Sequence, residues 1–137
     1  MKIILPFSVI LPRKTKADKV FALNLNIYRN THHMVLNQAK IAWKDVVARA
    51  VERNIVTGPP YAFTYTAYPA TNRKFDLGNV LSIIQKFTDD ALIEMGIIPD
   101  DSYKVIPAVS YRFGNVDKEN PRVELEISTV DYEKLPF

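Results

Sequence analysis

The spacing of apolar positions changes several times along the chain, and each change marks an element. Residues 2–11 are mostly apolar and read as a first strand, interrupted at Pro6, which has no N–H to give a ladder. Residues 19–27 alternate, with Phe21, Leu23, Leu25 and Ile27 against Ala22, Asn24 and Asn26. A period of two fits a second strand, although the asparagines suit an irregular loop equally well. From residue 32 to 53 the spacing becomes helical. Val35, Ala39, Ala42, Val46 and Ala50 form the apolar stripe, Asn30 or Thr31 serves as cap, and Asn54 with Gly58-Pro59-Pro60 gives the stop. Residues 61–68, rich in aromatics and threonine, predict a strand, 69–75 a loop, and 79–95 a second helix closed by Gly96. Residues 103–113 predict a further strand, with Pro107 marking an edge or bulge. Residues 122–129 alternate cleanly, Val123, Leu125 and Ile127 against Arg122, Glu124 and Glu126. The order β-β-α-β-α-β-β predicts an α+β fold, a mixed sheet with two main helices on one face. One domain spans 1–137, and 131–137 form a loose tail.

Composition narrows the function classes. The chain has 137 residues, 47% of them hydrophobic, enough for one real core. No apolar run approaches the ~18 residues of a transmembrane helix, and the apolar start before Pro6 is too short for a signal peptide. There is no cysteine, which excludes disulfides, thiol catalysis and cysteine-ligated zinc and agrees with a cytoplasmic location. The net charge of +3 conceals an asymmetry. Residues 1–74 carry 12 Lys/Arg against 3 Asp/Glu, whereas residues 75–137 carry 6 against 12. A basic half meets a polyanion by releasing its counterions, and an acidic half can hold metal.

The chemistry concentrates between Arg73 and Asp101. Basic residues lead into Asp76-Leu77-Gly78-Asn79, a helix follows, and Pro99-Asp100-Asp101 closes the segment. On a helical wheel Val80, Ile84, Phe87, Ala91 and Met95 form the core side. Asn79, Lys86 and Asp90 stack along another line, so a carboxamide, an ammonium and a carboxylate share one face. Taken singly, these are a solvated Lys86/Asp90 pair, a helix cap and an ordinary turn. Their joint arrangement behind a basic lead-in carries more weight.

The segment resembles the RusA family of Holliday junction resolvases, which are small, often phage-encoded, metal-dependent endonucleases acting as dimers. The family pattern has basic residues, Asp-Leu-Asp-Asn, a helix with Gln-Lys and Asp-Ala-Leu, then Gly and a closing Asp-Asp. This chain has Arg73-Lys74, Asp76-Leu77-Gly78-Asn79, Gln85-Lys86, Asp90-Ala91-Leu92, Gly96 and Asp100-Asp101. The match covers about residues 72–104, with a looser one through Asn24, Asn26, Tyr28 and Arg29. The resemblance implies that Asp76 and Asp101 are metal ligands and that Lys86 supports catalysis. It matches Asp90 to a helix aspartate, places Asp100 beside the site, and implies Mg²⁺ (or Mn²⁺) as cofactor. There are two departures. Gly78 stands where the family has an aspartate, and the helix before Gln85-Lys86 is four residues longer, close to one turn. Asp90, a backbone carbonyl or water would then fill the vacancy.

Phosphodiester cleavage needs an activated water, a Lewis acid and a cation on the developing charge. On the implied assignment, Asp76 and Asp101 hold the metal, Asp90 or Asp100 orients water, and Lys86 meets the charge. Arg13, Lys14, Lys16, Lys40, Lys44, Arg73 and Lys74 are the candidate phosphate contacts. Phe75 is a candidate for stacking on an unpaired base, with burial under the helix as its alternative. His32-His33 lacks companion ligands and reads as a polar helix start, and Trp43 reads as packing. The expected function is an endonuclease on four-way or branched DNA, working as a homodimer with no membrane association. The rivals are a junction-binding protein that has lost catalysis and a small phage regulator or scaffold protein.

Overall fold

The computed structural model describes residues 1–51 and 58–131. Its main sheet has the order β1-β6-β4-β5, built from β1 (Lys2–Leu5), β4 (Tyr61–Tyr68), β5 (Ala108–Phe113) and β6 (Arg122–Thr129). β6 pairs antiparallel with both β1 and β4, while β5 runs parallel to β4 at the edge, so the sheet is mixed as expected. A separate two-stranded sheet joins β2 (Ser8–Leu11) to β3 (Lys19–Ala22). Pro6 lies where the chain leaves one sheet for the other, so the single interrupted strand of the sequence is two strands.

Alternation does its work in β4, where Tyr61, Phe63, Tyr65 and Ala67 are all buried. β6 adds Val123, Leu125 and Ile127, and β1 adds Ile3 and Leu5. Against this face lie two long helices, α2 (His33–Ala50) touching β1 and β2 and α3 (Leu77–Glu94) touching β4 and β5. They also pack on each other, with Trp43 fully buried and its Nε1–H donating to Thr88 Oγ1 at 3.0 Å.

The expected second strand stops at Ala22. Asn24 turns the chain instead, accepting the Ile27 N–H at 2.9 Å and capping the short helix α1 (Leu25–Asn30). Such side chain to backbone bonds compete with strand pairing, which is why the alternation through 27 misleads. α2 is capped by His32, not by Asn30 or Thr31; its Nδ1 accepts the Met34 N–H at 3.2 Å. The buried stripe of α2 centres on Ala39, Trp43 and Val47, and Val35, Ala42, Val46 and Ala50 lie only partly buried beside it. Trp43, the largest side chain, is what turns the helix to that face. Arg53 and Asn54 fall outside the described residues, as does the expected tail beyond Asp131. α3 ends as predicted, since Gly96 takes φ +72° and Ile97 N–H reaches back to the Leu92 carbonyl at 2.9 Å. The next strand begins only at Ala108, because Val105 and Ile106 both donate to the Ser102 carbonyl and make a tight turn. Among the described residues no helix is long and apolar enough to cross a membrane.

Candidate functional site

The β4–α3–β5 crossover decides where the motif residues go. β4 delivers the chain to Pro69, the loop returns it through Arg73, Lys74 and Phe75, and α3 starts at Leu77. Asp76 is the N-cap of α3, and its Oδ1 accepts the Gly78 N–H at 2.9 Å. That satisfies one of the free donors of the first turn and puts a negative charge at the positive end of the helix. Asn79 Oδ1 accepts the Leu25 N–H at 2.9 Å and so ties the start of α3 to the start of α1. Arg73, Lys74, Phe75 and Asp76 are all exposed at this end. Phe75 is 37% exposed, so it is not buried under the helix. With Arg73, Lys74, Leu77 and Phe113 it lines a cleft of about 440 Å³.

The other acidic motif lies at the opposite end of the crossover. Asp100 Oδ1 accepts the Ser102 N–H at 2.8 Å, and this bonding holds its carboxyl below the usual range. The Ser102 carbonyl accepts from Val105, whose own carbonyl accepts the Tyr61 N–H at 2.8 Å. The acidic turn is therefore pinned to the first residue of β4, whereas Asp76 lies beyond its last. β4 from Tyr61 to Tyr68 measures about 23 Å. Along α3, Asp76 and Asp90 stand about 21 Å apart.

Asp90 is half exposed, and its partner is Lys40 of α2 at 4.0 Å; Lys40 also lies over the Phe87 ring at 5.8 Å from its centre. Lys44 pairs with Glu94 at 3.2 Å. These two lysines, expected to meet phosphate, sit partly neutralised by the acidic flank of α3. Lys86 projects exposed from α3. Arg13, Lys14 and Lys16 are exposed in the loop joining β2 to β3, where the Arg13 Nε–H donates to the Ala17 carbonyl at 2.8 Å.

Sequence reasoning misses Asp89, yet it is the buried acid, only 4% exposed. Burial, with the neighbouring charges of Asp101 and Asp90, pushes its carboxyl up to about 7, against the pull of a bond from Gln85. Gln85 Nε2–H reaches Asp89 Oδ2 at 3.5 Å, and Gln85 Oε1 accepts the Tyr111 hydroxyl. Asp89 Oδ1 and the Tyr65 hydroxyl are buried without a partner. Thr88 lies near the Tyr65 hydroxyl, but the geometry falls short of a hydrogen bond. Burial, together with the Asp89 charge, raises both Tyr65 and Tyr111. The signal that could have found Asp89 is its place one step from the Ile84, Phe87, Thr88, Ala91 stripe, i,i+4 from a glutamine.

Among the described residues no three acidic or histidine side chains converge closely enough to hold a metal ion. Magnesium takes its ligands at about 2.1 Å. Asp76 and the Asp90, Asp100 and Asp101 end of the same chain therefore do not fit one ion, and the expected approach of Asp76 to Asp101 does not occur within one chain. Asp90 does not supply the carboxylate missing at Gly78 for the same reason. Gly78 itself has no positive φ, and a Cβ there would meet only Asp76 Oδ1, at 3.4 Å. His32 is occupied as a cap and stacks on His33. A larger cleft, about 770 Å³, lies between β2 and α2, but none of the acidic motif residues lines it. Comparison with protein-family models and with curated proteins gives no match to this chain.

Proposed function

We propose that this chain is a RusA-like endonuclease that cuts four-way or related branched DNA with the help of a divalent cation. What supports this most is the run of exposed Arg73, Lys74 and Phe75 leading directly into Asp76 at the N-terminus of α3. Two cations beside an aromatic ring suit a phosphate backbone next to an unstacked base. A carboxylate then stands where the backbone would pass. Arg13, Lys14 and Lys16 extend the same sign of charge on the loop between β2 and β3. Lys86 offers an exposed ammonium for charge that develops on a leaving oxygen. The described acids of one chain do not make a complete cation site by themselves.

A second reading is a junction-binding protein without cleavage, of which a homodimer would still grip two arms. It is favoured by Gly78, which brings no carboxylate, and by the use of Asp76 Oδ1 as a helix cap. One experiment separates the two. Labelled four-way junction and linear duplex are incubated with the protein, with and without Mg²⁺. Mg²⁺-dependent, junction-selective cutting supports the enzyme. Tight, salt-sensitive junction binding with no cutting in Mg²⁺ or Mn²⁺ supports the binder, and absence of DNA binding rejects both.

A further inference from the structure

The cleft of about 770 Å³ between β2 and α2 takes no part in the acidic motif, and its two walls differ in kind. On one side residues 8–12 line it in unbroken succession. Neighbouring residues of a strand point to opposite faces, so a cleft touched by all of them runs along the strand's edge. The other wall is one face of α2, where Ile41, Ala42, Asp45, Val46 and Arg49 follow helical spacing. β2 is paired with β3 on its far side. Along the cleft its backbone makes no hydrogen bond to any described residue. An open strand edge is a template for another strand, and a two-stranded sheet gains stability from a third. The edge of β2 is about 13 Å long, enough for a short extended segment.

The lining also selects the occupant. Ile10 and Ile41 are 61% and 63% exposed, and the cleft is mostly apolar. No aromatic ring lines it among the described residues, so it offers no platform for a nucleobase. A second copy of this chain does not fit either. Its own β2 edge stands behind the same α2 wall, and two walled edges cannot meet. A slim extended chain can enter. Asp45 on the wall is already held by Arg49 at 2.9 Å. At the Pro12 end the charge is positive, with Arg13, Lys14 and Lys16 exposed in the loop and Lys19 exposed opposite Leu11. None of these four makes an ion pair among the described residues. We propose that the groove takes an extended peptide from a protein partner as a third strand along β2. Alternate apolar side chains of the peptide pack on Ile41, Ala42 and Val46, and acidic residues at one of its ends meet Arg13, Lys14, Lys16 and Lys19. On the nuclease reading the same loop faces phosphate, so partner and DNA compete there; occupancy of the groove itself does not depend on cleavage.

The test uses the full-length protein and fluorescein-labelled synthetic peptides of alternating Val and Thr. One peptide carries a run of Asp at its N-terminus and another at its C-terminus, and binding is followed by fluorescence anisotropy. One of the two should bind saturably, and Lys in place of its Asp residues should weaken binding by about tenfold or more. Each alternate set of peptide amides is then N-methylated in turn. One set should abolish binding, because it removes the N–H groups that pair with β2. Ile41→Glu puts a charge on the helix wall and should also weaken binding by about tenfold or more. Val20→Glu, on β3 outside the cleft, should leave binding unchanged, and circular dichroism checks that both variants fold. The methylation series needs no protein variant, so it decides the question even if Ile41→Glu fails to fold. No binding by either peptide at about 1 mM, well above the range of specific peptide recognition, overturns the proposal. So does binding that survives methylation of both sets, binding that is as tight with Lys as with Asp, or a folded Ile41→Glu protein that binds like wild type.

Discussion

Asp89 carries a carboxylate into the core between α3 and the sheet, with Tyr65, Gln85 and Tyr111 around it. Its raised pKa gives a definite sign for stability. The unfolded chain ionises near the ordinary value of 3.8 and the folded one near about 7. The folded state therefore holds a proton that the unfolded state releases, and stability is full below pH ~4 and falls as the pH rises towards 7. Asp89→Asn should flatten that dependence and raise stability at pH 8 by up to about 4 kcal/mol. Urea denaturation at pH 4, 6 and 8 measures it, and a wild type whose midpoint rises between pH 4 and 8 relative to the Asn variant contradicts it. Gly78 allows a similar test at one position. Its backbone is helical and open to a Cβ. Gly78→Asp should fold within about 0.5 kcal/mol of wild type, since helix propensity and the N-terminal dipole offset repulsion from Asp76. If a missing carboxylate limits catalysis, the same variant should raise Mg²⁺-dependent cutting without tightening junction binding.

At the scale of elements, α3 shows how structure and chemistry share one residue. Asp76 caps the helix, and asparagine caps as well as aspartate. Asp76→Asn should therefore keep the stability of wild type and lose cutting, whereas Asp76→Ala should lose both, with a stability cost of about 1 kcal/mol. Thermal melts and junction assays on the two variants separate the roles; a large stability loss in Asp76→Asn would mean that the charge, not the cap, holds the helix start. The elements that could be read from the sequence are those whose own residues specify them. β4 alternates between buried and partly buried positions along its whole length, β6 does so through Ile127, and Gly96 ends α3 through a positive φ. What escaped reading depends on partners distant in sequence. Asn24 turns an alternating stretch into a helix start, and Asn79 then locks it through Leu25. Trp43 finds Thr88 and rotates α2. The motif acids could be named individually, but their separation could not, because it follows from β5 running parallel to β4.

The whole molecule is an uneven charge distribution folded over one core. Among the residues expected to meet phosphate, Lys40 and Lys44 already face Asp90 and Glu94, while Arg73 and Lys74 stand exposed at the Asp76 end. The weight of DNA binding should accordingly fall on the exposed set. Changing both Arg73 and Lys74 to Gln should weaken binding to every junction sequence alike. It should also reduce the slope of log affinity against log salt by about 2, one for each phosphate no longer neutralised. Lys44→Gln should change that slope less; an equal effect from Lys44 would place it on the DNA despite its ion pair. Whether this chain cuts branched DNA with a divalent cation is decided most directly by junction cleavage under single-turnover conditions across a Mg²⁺ titration, with linear duplex as control. Paired nicks in the four-way junction should appear only with Mg²⁺ or Mn²⁺, and the duplex should stay whole. Junction left intact at saturating protein and cation, or cut equally well in a chelator, would contradict the nuclease reading.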